Sequence, residues 1–326
     1  MPVDSSNPPL VSVVTPAYNE EKYLAECIES VLAQSYTRWD YLIVNNCSTD
    51  GTLAVAQKYA ARDSRIRVIT NSTLLPAVAN FNHALRQISS ASKYCKMVFA
   101  DDWIYPECIG RMVTLMEKHP TIGISGAYGL QGEAVLWQGL PYPSDVVSGR
   151  EICRQRLLGR PYVFGSATSI LYRADLVRSR NPFYDESNVH AADSETCFEL
   201  LKGCDFGFVH QILTFSRERE GSLLQMSREL NSSAADILHE LVAYGPYYLS
   251  PDEYAECLDA TVSKYYDFLA SILPQRRGNG FWDYHKAKLK ENGVEFSWVS
   301  LARAVSEKIV DRFRVRGRGG QQRWGL

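Results

Sequence analysis

Lys96-Met97-Val98-Phe99-Ala100-Asp101-Asp102-Trp103 sets two carboxylates directly behind an apolar run that reads as a buried strand. Adjacent carboxylates at a strand's C-terminal end repel each other, so something positive should offset the cost. A divalent cation carrying a diphosphate would do so, which makes Asp101 and Asp102 a candidate anchor for nucleotide-dependent chemistry. The plainer reading is a cap for the helix expected from Pro106. A third carboxylate, Asp193, opens a helical pattern running to Leu201, with Glu195 close behind it.

The elements that would position these groups follow from periodicity. Leu10 to Val14, Tyr41 to Val44, Arg67 to Thr70 and Lys96 to Phe99 are short apolar runs that predict buried strands. Between them lie helical patterns. Leu24, Cys27, Ile28, Val31 and Leu32 form one stripe, with Asn19 as its expected N-cap. Thr52 to Ala61 and Val78 to Ile88 are two more helices, and Asp50-Gly51 punctuates the turn before the first of these. Strands alternating with helices predict βαβ units and a parallel sheet, whose ligands bind outside the C-terminal strand ends. Thr15, Asn45, Asn46, Asp101 and Asp102 all fall there. Further on, the pattern predicts a helix over 106–118, a strand over 122–125, irregular or edge structure over 126–148 and a strand over 164–172. Beyond about residue 228 it is nearly all helical, with a boundary near Gln225.

At 326 residues the chain suits one large domain or two smaller ones, and its net charge of −2 gives no global field to suggest nucleic acid or a membrane as the main partner. The eight cysteines are scattered without a CxxC pair, several at apolar positions where a free thiol packs as a small hydrophobe. Residues 1–9 lack a signal pattern, and no apolar run approaches the ~20 residues a membrane helix needs. The expectation is a reduced, soluble, cytoplasmic protein. Arg312, Arg314, Arg316, Arg318 and Arg323 cluster at the end. They read first as a frayed soluble tail, and second as weak attachment to anionic lipid at the inner membrane face or to an acidic acceptor.

Four segments together resemble the inverting glycosyltransferases of family 2, which have the GT-A fold. They are Val11 to Glu20, Leu42 to Thr52, Phe99 to Trp103 and Ala192 to Glu195. The resemblance covers roughly residues 8 to 225. It implies an α/β, Rossmann-like GT-A domain over 1–225, followed by a helical extension with a basic tail over 226–326. It also implies a nucleotide-diphosphate sugar donor, a saccharide or lipid-linked glycan acceptor, and Mn2+ or Mg2+. Asp102 falls where the family's last aspartate of the DXD-type motif holds the metal. Asp101 matches the neighbour that contacts donor ribose or metal. Thr15, with Pro16, Ala17 and Tyr18, falls where the nucleoside is contacted. Asp193 matches the base aspartate.

The chemistry is consistent with those places. A departing diphosphate gains charge that a cation stabilises. Inversion needs a base on the far side, within reach of the acceptor hydroxyl. At a helix start the dipole should lower the pKa of Asp193 and keep it ionised; an ordinary N-cap is the plainer reading, and Glu195 is the reserve. Asn45 and Asn46 replace the usual aspartates. An amide both accepts and donates, so Asn46 could pair with uracil, or equally with cytosine, and the expectation leans to a UDP-sugar. Ala192 replaces the usual acid before the base. Arg217 or Arg219 could reach the diphosphate, or form a solvated charge run. His190 reads as a surface or positioning histidine and His210 as a core or edge one. The extension is expected to shape the acceptor site or to form a homo-oligomer contact. The alternatives are a non-catalytic nucleotide-sugar-binding protein on the same fold, and a nucleotidyltransferase. The latter is disfavoured because Thr15 to Glu20 has neither glycine nor lysine.

Overall fold

The computed structural model describes residues 8–187, 189, 191–218 and 229–319. The chain divides into two compact units, residues 1–220 and 221–326. The boundary expected near Gln225, and the candidates His190 and Arg219, lie outside the described residues.

The first half of unit one follows the alternation read from the sequence. The order is β1 (Val11–Ala17), α1 (Leu24–Leu32), β2 (Trp39–Asn45), α2 (Thr52–Ala60), β3 (Ile66–Thr70), α3 (Ala77–Leu85) and β4 (Tyr94–Met97). After it come β5 (Trp103–Ile104), α4 (Cys108–Lys118), β6 (Ile122–Gln131), β7 (Ala134–Leu136), β8 (Val146–Val147) and α5 (Gly149–Leu157). The unit closes with β9 (Ile170–Arg173), α6 (Ala174–Arg178), α7 (Ala192–Leu200) and β10 (Asp205–Phe215). One sheet runs β3-β2-β1-β4-β9-β6-β10-β5, with β7 beside β6 and β8 beside β10.

Its first four strands are parallel, as βαβ connections require. β1 is buried along its whole length, as a central strand covered on both faces must be. The stripe Leu24, Cys27, Ile28 and Val31 of α1 packs into the same core as Val11, Val13 and Ile43. Each such side chain contributes roughly 1.5–3 kcal/mol by leaving water.

Three expectations are corrected. The sheet is mixed, because β9 runs antiparallel to both β4 and β6. Within 126–148, expected as irregular or edge structure, β6 continues to Gln131, and β7 and β8 pair onto the sheet. Residues 164–172 are not one strand, since a 3-10 turn at Ala167–Ser169 interrupts them. Asn19, moreover, does not cap α1, which starts at Leu24 without a side-chain cap.

Strand lengths decide where the cleft opens. β4 ends at Met97 opposite Val14, while β1 runs on to Ala17. Val98 N donates to Val14 O at 3.0 Å, so Val14 faces β4. Two residues later Pro16 faces the same way, where β4 has already turned off. A residue without an N–H is tolerated there, since no ladder bond is lost.

Unit two holds α8 (Ser233–Tyr248), α9 (Pro251–Ile272), α10 (Asn279–Glu291) and α11 (Trp298–Gly319). Leu238, Tyr265, Leu269, Phe281, Leu289 and Leu301 form its core. His285 is fully buried there, with ring nitrogens 2.7 Å from Tyr265 OH and 2.9 Å from Leu230 O. The longest fully described helix, α9, starts with a capping box. Ser250 accepts from Glu253 N, Glu253 accepts from Ser250 N, and Pro251 occupies the first turn. Ser250→Ala is expected to cost unit two about 1 kcal/mol, read as a lower urea midpoint at unchanged slope. An unchanged midpoint would show that the cap contributes nothing.

Candidate active site

The loops after β1 and β2 interlock before either reaches the cleft. Asn19 N donates to Ser48 Oγ at 3.0 Å, and Thr49 N donates to Asn19 Oδ1 at 2.8 Å. Glu20 N donates to Thr52 Oγ1 at 2.7 Å, and Glu21 N to Asp50 Oδ2 at 3.1 Å. Gly51 N returns a bond to Glu21 Oε2 at 2.9 Å. A Cβ on Gly51 would lie 2.6 Å from that carboxyl group and would displace the Glu21 side chain. Tyr18 emerges from this rigid double turn 43% exposed, while Pro16 and Ala17 are buried.

Thr15 and Asn46 turn inward. The Thr15 hydroxyl is fully buried, donates to Val98 O at 2.8 Å and lies 2.8 Å from Tyr41 OH. Cys27 Sγ donates to Phe99 O. These two groups satisfy carbonyls that β4 leaves unpaired on diverging from β1, and so fix the path to Asp101. The side chain of Thr15 thus braces the start of the turn that leads to Asp101. The Asn46 amide is engaged within the fold as well. Its Oδ1 accepts from Asn71 Nδ2 at 2.8 Å and Leu75 N at 2.9 Å, and its Nδ2 donates to Leu75 O at 2.8 Å. The amide thus braces the loop 71–75 beside the end of β2.

Asp102 is buried under a cage of donors. Thr168 Oγ1 donates to its Oδ2 at 2.7 Å, and Arg217 N to its Oδ1 at 3.0 Å. Ser216 Oγ stands 3.5 Å from Oδ2. Even so, burial and then the neighbouring Asp101 charge push the Asp102 carboxyl well above the ordinary carboxylate range. A carboxylate held this way gains from a cation. Among the described residues no three His, Cys, Asp or Glu side chains gather as a resident metal site. Two adjacent carboxylates instead suit a hard cation whose remaining positions are filled by diphosphate oxygens and water. His210 lies apart, against Ser144 O and Tyr128.

Arg217 reaches Asp102 through its main chain rather than its charge. Its guanidinium donates to Asp101 O at 3.1 Å, pairs with Glu26, and lies over the rings of Tyr23 and Trp103. The expected reach toward a diphosphate is not the arrangement seen, because a carboxylate on α1 and two aromatic faces engage the cation first.

The group that sequence reading missed is the turn Ala167–Ser169. Its Thr168 hydroxyl holds Asp102, and its Ala167 N–H bonds the carboxylate of Asp193. One turn therefore positions both candidate carboxylates. Lys96 holds the turn from below. This lysine is fully buried on β4, and its Nζ donates to Thr168 O and, at 3.0 Å, to Ile170 O. Burial pushes Lys96 down, and the Asp102 charge is among those drawing it back up. The signal was the run Gly165-Ser166-Ala167-Thr168-Ser169, small and polar inside an apolar stretch. Gly165 takes φ +85°, and a Cβ there would lie 2.8 Å from Ser169 Cβ.

Asp193 sits in the first turn of α7, partly exposed, with Glu195 buried behind it. The expected lowering by the helix dipole is corrected. Burial outweighs the Ala167 bond and raises its carboxyl to about 6. Ala192 is buried as the first residue of the helix.

Comparison with known proteins gives a consistent answer. The family model described as glycosyl transferase family 2 matches residues 12–180. EpsE of Bacillus subtilis (strain 168), a putative glycosyltransferase, is 34% identical over 160 residues, 47% of this chain. The match spans 56% of EpsE, little more than half its length. Among solved structures, Staphylococcus aureus TarS 1–349 in complex with UDP-GlcNAc aligns with a TM-score of 0.63 at 18% identity, over 86% of this chain and 80% of that one. The Pyrobaculum calidifontis mannosyltransferase PcManGT, in complex with GDP-Man and Mn2+, aligns at 0.58 and 15% identity, over 95% and 82%. At those identities the likeness establishes the GT-A fold.

Proposed function

The chain belongs to glycosyl transferase family 2, and from that membership we propose that it moves a sugar from a nucleoside-diphosphate donor to a hydroxyl of a saccharide or lipid-linked glycan. The observation that carries this reading is the single turn that holds Asp102 on one side and Asp193 on the other. Asp193 takes the proton of the acceptor hydroxyl as its oxygen attacks the anomeric carbon. The bond to the diphosphate breaks on the opposite face, and the configuration inverts. Partial burial and a pKa near 6 leave Asp193 ionised at neutral pH yet basic enough to accept that proton. Asp102, with Asp101 beside it, would hold Mn2+ or Mg2+ against the donor, and such a cation stabilises the charge of the departing nucleoside diphosphate.

Tyr18 and the main chain of Pro16 and Ala17 lie at the strand end where the nucleoside is expected. UDP-sugars come first in the donor panel because TarS was solved with UDP-GlcNAc; GDP-mannose comes next because PcManGT was solved with it. The reading assigns the donor and its chemistry to residues 1–225 and an accessory role to the helical unit after them.

Titration calorimetry with that panel, with and without Mn2+, tests the reading. Donor binding should strengthen at least ~10-fold with the metal, as expected for a bridged diphosphate. Chelation by EDTA should reverse the gain. Binding that ignores the metal would remove Asp102 from its role, and binding of no nucleotide sugar would remove the donor site.

A further inference from the structure

α11 has two apolar faces, and only one is used. Leu301 and Ala304 pack into the core of unit two, with Val305 against it. On the other side Val299 is 80% exposed, Trp298 66%, Ile309 51% and Val310 46%. Ala302 and Ser306 are exposed between them. Positions 299, 302, 306, 309 and 310 recur at the helical period, so they form one stripe along the helix. Exposed apolar side chains scattered singly need no explanation, whereas a continuous row on one helix face marks an interaction surface.

Charge separates along the chain in the same place. Residues 1–301 carry 28 lysines and arginines against 35 aspartates and glutamates. Residues 302–326 carry seven against two. The net positive charge that would attract an anionic surface therefore lies in the last 25 residues of the chain. A soluble polyanion would need the cations but not the row of Trp, Val and Ile. A second copy of the chain would suit the apolar row but would leave the cations beyond it without a partner. An apolar row together with excess cations on and beyond one helix matches an interfacial helix on an anionic bilayer. No helix among the described residues is long and apolar enough to cross a membrane, so this contact is lateral.

We propose that α11 docks flat on an anionic lipid surface, with Val299, Ala302, Ile309 and Val310 at the acyl boundary and Trp298 at its edge. The arginines from Arg312 onward supply the attraction to lipid headgroups. The inference is independent of the transfer reaction, since none of these residues belongs to the candidate site.

Vesicle sedimentation with the full chain tests it. Vesicles of phosphatidylcholine with about one-third phosphatidylglycerol should bind at least ~10-fold more tightly than phosphatidylcholine alone. Trp298 replaced by Phe serves as the fluorescence control, and the blue shift on binding should fall in that variant. Val299→Glu with Ile309→Glu should cut binding at least ~10-fold without lowering the melting temperature, because both side chains are already exposed. Equal binding to both vesicle types, or none, overturns the proposal. Binding that survives the double substitution but disappears in high salt assigns the tail to polyanions and also overturns it. So does a dimer in sedimentation velocity that the double substitution abolishes.

Discussion

Asp193→Asn is expected to lower sugar transfer by ~10²–10⁴-fold and, above pH 6, to raise stability. Both effects come from one burial. The Asp193 carboxyl is raised to about 6 from an ordinary value of 3.8. As a base it must be ionised, so wild-type transfer should rise as pH passes about 6 and level off above it. Stability moves the other way. Between the two values the folded state holds a proton that the unfolded chain has lost, so stability declines as pH rises from about 4 to about 6. The deficit then persists at higher pH. Roughly two pKa units correspond to ~3 kcal/mol, an upper figure because the side chain keeps some exposure. Asparagine removes the charge and keeps an oxygen for Ala167 N–H, so the variant should be inactive and more heat-stable at pH 8. Acceptor-dependent release of nucleoside diphosphate from pH 5 to 8, with melting curves, checks both halves. Wild-type transfer rates in the variant would exclude Asp193 as the base. A wild-type protein that binds donor but transfers to nothing in a glycan panel would be a binding protein instead.

Lys96→Met is expected to weaken Mn2+-dependent donor binding ~10-fold and transfer ~100-fold while barely moving the melting temperature. Two opposing terms make the stability change small. Burying an ammonium costs several kcal/mol, which methionine avoids. Against that, Thr168 O and Ile170 O lose their donor, at about 1–3 kcal/mol each. Function has no such compensation, because the released turn carries both the Thr168 hydroxyl on Asp102 and the Ala167 N–H on Asp193. Thr168→Val separates the branches: it should weaken donor binding while leaving the pH dependence of transfer in place. Unchanged donor affinity and transfer in Lys96→Met, with a lower melting temperature, would make this lysine a packing group only.

Much of the fold was legible because local burial leaves a local trace. The apolar runs behind β1 to β4 and the stripe of α1 are periodic, and their alternation dictates parallel pairing and a cleft at the strand ends. The position of Asp101 and Asp102 at that edge followed from the run before them. The antiparallel β9 was not legible, since the short run Ile170-Leu171-Tyr172 pairs equally well in either direction and the preceding turn chooses.

Within the site, residue type and order were enough to collect Asp101, Asp102 and Asp193 as candidates. What they could not convey was where each polar group finds its partner. Asn46 meets Asn71 and Leu75, Thr15 meets Val98, and Thr168 meets Asp102, across separations of 25 to 83 residues. Such pairings leave no periodic mark in a sequence. The sign of the Asp193 shift was missed for the same reason. A helix N-terminus is visible locally, but desolvation is the sum of whatever the rest of the chain packs around the carboxyl group. The sequence alone determined which carboxylates could do chemistry and on which sheet edge they lie. Only the tertiary structure decided that Lys96 and one small turn hold them together, because hydrogen bonding and burial are set by contacts between segments distant in the chain.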